Sequence, residues 1–181
     1  MWNLKNKTIV ISGATNGIGK AAAIELSKEN PQLLFTYRNQ DLANELLAEI
    51  KALSPDTQVH SVYCDFSKQD SIKKCADEIN DLCGEIDVLI NNAGVVNTSY
   101  HETSEGIENT FAINHLGYFL FTNLLLHKLK GENETRIVNV SSAAHAFVKE
   151  MQWEDINFKN NFGQGLRPYG QSKLANLLFT R

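Results

Sequence analysis

Tyr169 and Lys173 stand four positions apart in Tyr169-Gly170-Gln171-Ser172-Lys173, one helical turn, so a helix would present both on one face. A phenol has an ordinary pKa of ~10 and exchanges protons poorly near neutrality, whereas a neighbouring ammonium favours the phenolate. Such a pair can give a proton to a carbonyl oxygen or take one from an alcohol. In isolation the spacing reads as ordinary helix surface, so its weight depends on what precedes it. Ser141-Ser142 close the run Arg136-Ile137-Val138-Asn139-Val140. Asn114 lies on an apolar helical stripe, three residues after Phe111 and four before Tyr118, where a buried amide must find partners.

A second chemical signal lies near the start of the chain. Thr8-Ile9-Val10-Ile11 is an apolar, β-branched run followed by Gly13, Gly17 and Gly19, then by Lys20-Ala21-Ala22-Ala23-Ile24-Glu25-Leu26-Ser27-Lys28. Strand, glycine turn and helix in that order aim free backbone N–H groups and the positive end of a helix dipole at a phosphate. Glycine lets the backbone approach closely. The spacing is Gly-x-x-x-Gly-x-Gly rather than the common Gly-x-Gly-x-x-Gly, so the flanking strand and helix carry the motif.

Composition narrows the partners. The chain has 181 residues, 43% hydrophobic and 21% charged, with a net charge of -4. That is enough for one domain with a core, and it argues against nucleic acid or an anionic membrane as the main partner. The most apolar run, Leu116 to Leu126, is broken by Gly117, Thr122 and Asn123 and falls short of the ~20 residues that span a bilayer. No secretory pattern precedes the first strand. Cys64, Cys75 and Cys83 have neither metal spacing nor an even count, which reads as reduced buried thiols in a cytoplasmic protein. The five histidines are scattered, so no metal site is expected.

Periodicity predicts the elements that position these residues. Strands are expected at Leu33–Tyr37, Val59–Tyr63, Val88–Ile90 and Arg136–Val140. A helix is expected from about Asp41 to Leu53, with Leu42, Leu46 and Ile50 on one face. Ser67-Lys68-Gln69-Asp70 reads as a capping box before a helix that buries Ile72, Cys75, Ala76, Ile79 and Leu82. Ser104 or Thr103 is expected to cap a long helix carrying Ile107, Phe111, Tyr118, Phe121 and Leu125. Irregular sequence then runs to Gly165 before a last helix with Tyr169, Lys173, Leu174, Leu177 and Leu178. Alternating strands and helices imply an α/β, doubly wound parallel sheet of Rossmann type, with helices on both faces. Ligands bind such sheets at the carboxyl ends of the strands. Here those ends carry Gly13, Arg38, Asp65, Asn92 to Gly94 and Ser142.

Taken together, Ser12-Gly13-Ala14-Thr15-Asn16-Gly17-Ile18-Gly19, Asp65, Asn91-Asn92-Ala93-Gly94, Asn114, Ser142 and Tyr169-Gly170-Gln171-Ser172-Lys173 resemble the short-chain dehydrogenase/reductase family over nearly the whole chain. Val138-Asn139-Val140-Ser141-Ser142-Ala143-Ala144-His145 and Tyr169-Gly170-Gln171-Ser172-Lys173-Leu174-Ala175-Asn176 look most like its retinol dehydrogenase branch. The resemblance implies a nicotinamide cofactor. Its pyrophosphate would lie on the turn of Gly13, Thr15, Asn16, Gly17, Ile18 and Gly19. The adenine would lie near Asp65, and Ala93 and Gly94 would pass beneath the ribose, with Phe66 and Asn92 also among the cofactor-binding residues. It also implies Tyr169 as general acid/base beside Lys173, Ser142 bonded to the substrate oxygen with Ser141 as the alternative, and Asn114 linked through water to Lys173. An acidic residue after the second strand would accept from a ribose 2′-OH, whereas an arginine pairs with a 2′-phosphate. Arg38 stands there without a carboxylate, which favours NADP(H) over NAD(H); a solvated surface arginine is the other reading.

These pieces together imply an NADP(H)-dependent interconversion of a small apolar alcohol with its aldehyde or ketone. The stretch from His145 to Arg167 is longer than in many members. Its Phe147, Met151, Trp153, Phe158 and Phe162 are candidates for one wall of an apolar substrate pocket. The resemblance also implies a homodimer or homotetramer through the helices equivalent to Ser104–Leu129 and Tyr169 onward. The family usually continues beyond the position of Arg181 with a strand, a substrate-covering loop and a last strand. A single domain over residues 1–181 would lack these, which reads as a fragment or as a shortened protein that pairs its sheet edge with another chain. The rival function is a nucleotide-binding module without turnover. A flavodoxin-like signalling domain would have no use for Tyr169, Lys173 and Ser142 together.

Overall fold

The computed structural model describes residues 3–129 and 135–181. In chain order it holds β1 (Thr8–Ile11), α1 (Gly17–Ser27), β2 (Gln32–Tyr37), α2 (Gln40–Leu53), β3 (Gln58–Tyr63), α3 (Gln69–Leu82) and β4 (Val88–Asn91). These are followed by a short α4 (Asn109–Phe111), α5 (Gly117–Leu125), β5 (Arg136–Asn139) and α6 (Leu166–Phe179).

The strands pair in parallel in the order β3-β2-β1-β4-β5. The apolar runs of β1 and β2 are explained by burial on both faces. Side chains alternate across the sheet. Val10, Leu34 and Leu89 point to one side, against Ile79 of α3 and Phe121 and Leu125 of α5. Ile9, Ile11, Leu33 and Phe35 point to the other, against Ala23 of α1 and Leu46 and Ile50 of α2. The expected doubly wound sheet is therefore the observed one. The chain winds outward from β1 to β3, then returns to lay β4 on the other flank of β1. That reversal opens a crevice at the carboxyl ends of β1 and β4. On the far side β5 is an edge, with Ile137 and Val138 exposed.

Two helix starts differ from the sequence expectation. α3 begins at Gln69 with Lys68 as its first capping position and no side-chain cap. The Ser67–Asp70 capping box does not form, because the Ser67 hydroxyl and amide both donate to Asp65 Oδ1, at 2.6 and 3.0 Å. The helix expected from Ser104 or Thr103 begins only at Asn109. Its cap is Glu108, whose two carboxylate oxygens accept from Thr110 N and Phe111 N at 2.8 and 2.7 Å. The Thr103 hydroxyl instead receives the Ile107 and Glu105 amides within the preceding loop. Glu108 is fully buried, and burial raises its carboxyl above the ordinary range despite the bonds from Thr110 and Phe111. Between α4 and α5 the helix widens into a π turn over Ala112–Leu116, an irregularity often found at functional sites.

Replacing Glu108 by Ala should cost about 1–2 kcal/mol, since it strips two buried amides of their only cap; the midpoint of a urea titration measures this, and an unchanged midpoint would discard the cap. Gly13→Ala should cost more. The glycine has φ +67°, and an added Cβ would lie 2.6 Å from Ala93 Cα. Left-handed strain of ~1–2 kcal/mol and overpacking of ~1–3 kcal/mol then add, and the same titration reads the sum.

Candidate active site

The glycine turn after β1 is held by the end of β4. Ser12 Oγ accepts from the Asn92 and Ala93 amides at 2.9 and 3.1 Å. The Asn92 side-chain amide returns two bonds, to Ser12 O at 3.0 Å and Gly13 O at 2.9 Å. The Gly13 amide donates to Thr36 Oγ1 of β2 at 3.1 Å. A Cβ on Gly19 would strike Gly13 O and Asn92 Nδ2, so Gly13 and Gly19 serve the protein's own packing. Gly17 differs: its φ is +52° and nothing lies within 4 Å of a built Cβ. α1 starts at this open point. Asn16 caps it without a side-chain bond, and its first turn carries no acidic residue. Free amides and the positive helix end therefore face the crevice, an arrangement suited to an anion. Ile18 projects beside them, 74% exposed.

The ends of β2 and β3 add charged and aromatic groups. Arg38 is exposed just past β2. Asp65, after β3, is nearly buried, which raises its carboxyl; the two Ser67 bonds, with Lys68 and Arg38 nearby, outweigh this and hold it below the ordinary carboxylate value. Lys68 Nζ is 3.5 Å from its Oδ2. Phe66 is buried edge-on against Phe121, ring centroids 5.5 Å apart.

At the other end α6 delivers Tyr169 and Lys173. Lys173 Nζ donates to Val140 O at 3.0 Å. It lies 5.6 Å from the centre of the Tyr169 ring and 5.9 Å from that of Tyr118, within cation–π range. Burial pushes this amine down to about 8. The two serines divide. Ser141 Oγ donates to Lys173 O at 2.8 Å and is committed to main chain. Ser142 Oγ accepts from the Ala144 amide at 3.1 Å, which leaves its O–H free to donate.

Asn114 sits in the π turn, fully buried. Its Oδ1 accepts from Val95 N at 2.8 Å, and its Nδ2 donates to Val95 O at 2.9 Å and Ser172 Oγ at 3.2 Å. The direct partners of this amide are the Val95 main chain and the Ser172 hydroxyl.

These groups surround one cleft of about 610 Å³. Every site residue expected from the sequence lines it except Asn114, which lies behind the wall. Sequence reasoning passed over Ser12 and Thr36, which bind the glycine turn. Thr36 was detectable as the one aliphatic hydroxyl within the apolar run of β2. Reasoning from sequence also passed over Asn176, treated below.

The stretch from His145 to Arg167 does not wall this cleft. Met151, Trp153 and Ile156 border a separate apolar groove of about 570 Å³ with Phe111, His115 and Phe179. Phe158 is buried, and Phe162 packs edge-on against Tyr100 at 5.6 Å. The segment is drawn there by polar ties. Buried Gln171 of α6 accepts from Gln152 N at 2.7 Å and donates to Ile156 O at 3.0 Å, and Asn157 Oδ1 accepts from Glu108 N at 3.0 Å. Among the described residues no cluster of His, Cys, Asp and Glu is placed to hold a metal ion, and no helix is long and apolar enough to cross a membrane.

Comparison with known proteins follows this geometry. A family model described as short chain dehydrogenase matches residues 7–153. Human retinol dehydrogenase 13 is 35% identical over 178 residues, covering 98% of this chain and 54% of its own. Retinol dehydrogenase 12 of Mus musculus is 38% identical, covering 98% and 56%. The chloroplastic short-chain dehydrogenase TIC 32 A of Brassica napus is 36% identical, covering 96% and 56%. The chain thus spans about half the length of these curated relatives. Among solved structures, an uncharacterized protein from Mycobacterium Paratuberculosis aligns with a TM-score of 0.84 at 34% identity, covering 98% of this chain and 61% of that one. A metagenomic short-chain oxidoreductase in complex with NADP aligns with a TM-score of 0.78 at 25% identity, covering 98% and 75%. The fold, the motifs along it and these likenesses agree: this chain belongs to the short-chain dehydrogenase family of oxidoreductases.

Proposed function

We propose that the protein is an NADP(H)-dependent oxidoreductase that interconverts an apolar alcohol with its aldehyde or ketone, using Tyr169 as general acid/base. The observation that carries this reading is one cleft lined both by the open helix start at Gly17 and by Ser142, Tyr169 and Lys173.

The residues fit a dinucleotide. A Cβ-free opening at Gly17 and the uncapped amides of α1 suit the pyrophosphate. Thr15, Asn16, Ile18 and Gly19 would border it. Asp65 and Phe66 would flank the adenine, Asn92, Ala93 and Gly94 the ribose, and Tyr169 and Lys173 the second ribose and ring. When bound, the nicotinamide supplies hydride to the carbonyl carbon or accepts it from the alcohol. The chain's own part is proton and oxygen chemistry. In reduction the Ser142 O–H donates to the carbonyl oxygen and holds it, and Tyr169 gives that oxygen its proton. In oxidation Tyr169 takes the proton back. The Lys173 ammonium beside the ring stabilises the phenolate that remains between these steps. Asn114 braces the Val95 loop and Ser172 behind them. Arg38 at the end of β2, with no carboxylate of its own strand beside it, supports NADP over NAD.

The retinol dehydrogenase relatives support an apolar substrate. A second copy of the chain is the proposed cover for the apolar face where Phe119 and Leu178 are each about half exposed and Trp153 is 73% exposed, giving a homodimer or homotetramer. Three unpaired, buried cysteines support a reducing compartment such as the cytoplasm.

Tyr169→Phe should lower NADPH-dependent carbonyl reduction by roughly 10²–10⁴-fold, the usual weight of a general acid, while NADPH affinity by fluorescence titration stays within about twofold. Retained turnover would remove Tyr169 from the role. NADPH binding by the unaltered protein without oxidation across a panel of apolar aldehydes and ketones would instead favour a nucleotide-binding module. Arg38→Ala should weaken NADPH binding by about tenfold or more, as loss of a charge-assisted phosphate contact does, and leave NADH unchanged. An equal loss for both would dismiss the 2′-phosphate contact.

A further inference from the structure

The four side chains of the proposed catalytic site, Asn114, Ser142, Tyr169 and Lys173, come from three elements: the π turn, the chain just past β5, and α6. Asn176, on α6 three residues after Lys173, is fully buried and touches all three. Its Nδ2 donates to Asn114 O in the π turn at 2.9 Å, and more distantly to Val140 O beyond β5 at 3.4 Å. That same Val140 carbonyl receives the Lys173 ammonium. Its Oδ1 is paired with His115 Nδ1 at 3.0 Å. Burial lowers the His115 pKa, against the Asn176 bond; with Nδ2 turned to the two carbonyls, Oδ1 is left to accept from the Nδ1–H tautomer of the ring.

We infer that Asn176 is a positioning residue for the proposed proton-transfer site: its amide fastens the Asn114 and Val140 carbonyls to α6 and so fixes where the Lys173 ammonium rests. The inference builds on the roles proposed above for Tyr169 and Lys173. An amide is required because two carbonyl oxygens converge on one side and an imidazole N–H on the other. Without the amide, the Val140 carbonyl loses a second donor beside the buried cation, and the π turn loses its tie to α6 through Asn114 O. The Val140 carbonyl then stabilises the ammonium more strongly, and the amine holds its proton to higher pH. The ionisable groups facing that amine are Tyr169 on α6 and Tyr118 on α5, with His115 behind Asn176. Gln171 supplies an internal contrast. It is a second fully buried amide on the same helix, but it bonds the 152–156 segment and neither carbonyl.

The test follows the Lys173 amine by competitive trace acetylation across pH, read by peptide mass spectrometry, in the full protein and its Asn176→Leu and Gln171→Leu variants. The unaltered protein should give a midpoint near 8. Asn176→Leu should raise it by roughly half a pH unit or more, and Gln171→Leu should leave it in place. Where turnover is measurable, Asn176→Leu should also lower kcat by about tenfold or more with KM for NADPH unchanged, the mark of lost alignment. A Lys173 midpoint in Asn176→Leu equal to that of Gln171→Leu would overturn the inference. If Asn176→Leu does not fold, His115→Phe decides: by freeing the amide it should raise the midpoint in the same direction, and an unmoved midpoint counts against Asn176. An unaltered protein that reduces no carbonyl would defeat the proposed reaction and leave the acetylation result to judge Asn176 by itself.

Discussion

Close contact between two backbones governs the rest of this structure. Gly13 and Ala93 approach so nearly that no side chain fits between them, and a reciprocal set of bonds between Ser12 and Asn92 locks the approach. The consequence is geometric. With the β1 turn pinned to β4, α1 starts at the mouth of the crevice with its amides unspent. The strand reversal beside β1 is what brings β4 within reach, so topology and local chemistry depend on one another. Asn92 lines the cleft and also forms the clasp on Gly13.

At the opposite end of the cleft the governing term is electrostatic. A lysine nearly closed off from solvent retains a hydrogen bond to one carbonyl and two aromatic faces. Removing a cation from water is costly, and those contacts offset part of that cost. The surrounding polar groups are spent on each other. Ser141 holds the Lys173 carbonyl, Asn114 holds Val95, and Ser172 bonds both Asn114 and the Tyr169 carbonyl. Ser142 is left with an uncommitted proton, and Tyr169 stands at the cleft surface. The division between spent and free groups separates support from chemistry more sharply than residue type does.

Much of this was legible in the order of residues. The strands announced themselves because burial on both faces demands unbroken apolar runs, as in Ile9-Val10-Ile11 and Leu33-Leu34-Phe35. The site was legible because strand ends in such a sheet converge, so Gly13, Arg38, Asp65, Asn92 and Ser142 had to gather. What stayed hidden was set by contacts distant in sequence. Glu108 is an unusual cap, and hydroxyls at 103 and 104 looked better by local preference. A π turn shifts the helical stripe by one residue without changing its composition. The aromatic residues after His145 were readable as packing residues, but the segment's direction was decided by Gln171 and Asn157. Asn176 looked like one more polar residue on a helix that also carries Gln171, Ser172 and Lys173, and only its partners distinguish it.

The clasp between Ser12 and Asn92 spans 80 positions of chain, and β1 pairs with β4 only after β2, α2, β3 and α3 have been threaded between them. Such distant parallel pairing forms slowly, because loop-closure entropy must be met before the contacts repay it. The clasp on the glycine turn is therefore among the last parts of this fold to close. A molecule gripping it acts on the escape rate from the native state far more than on the speed of reaching it. In this architecture, occupancy and kinetic lifetime are joined through a single pair of neighbouring strands.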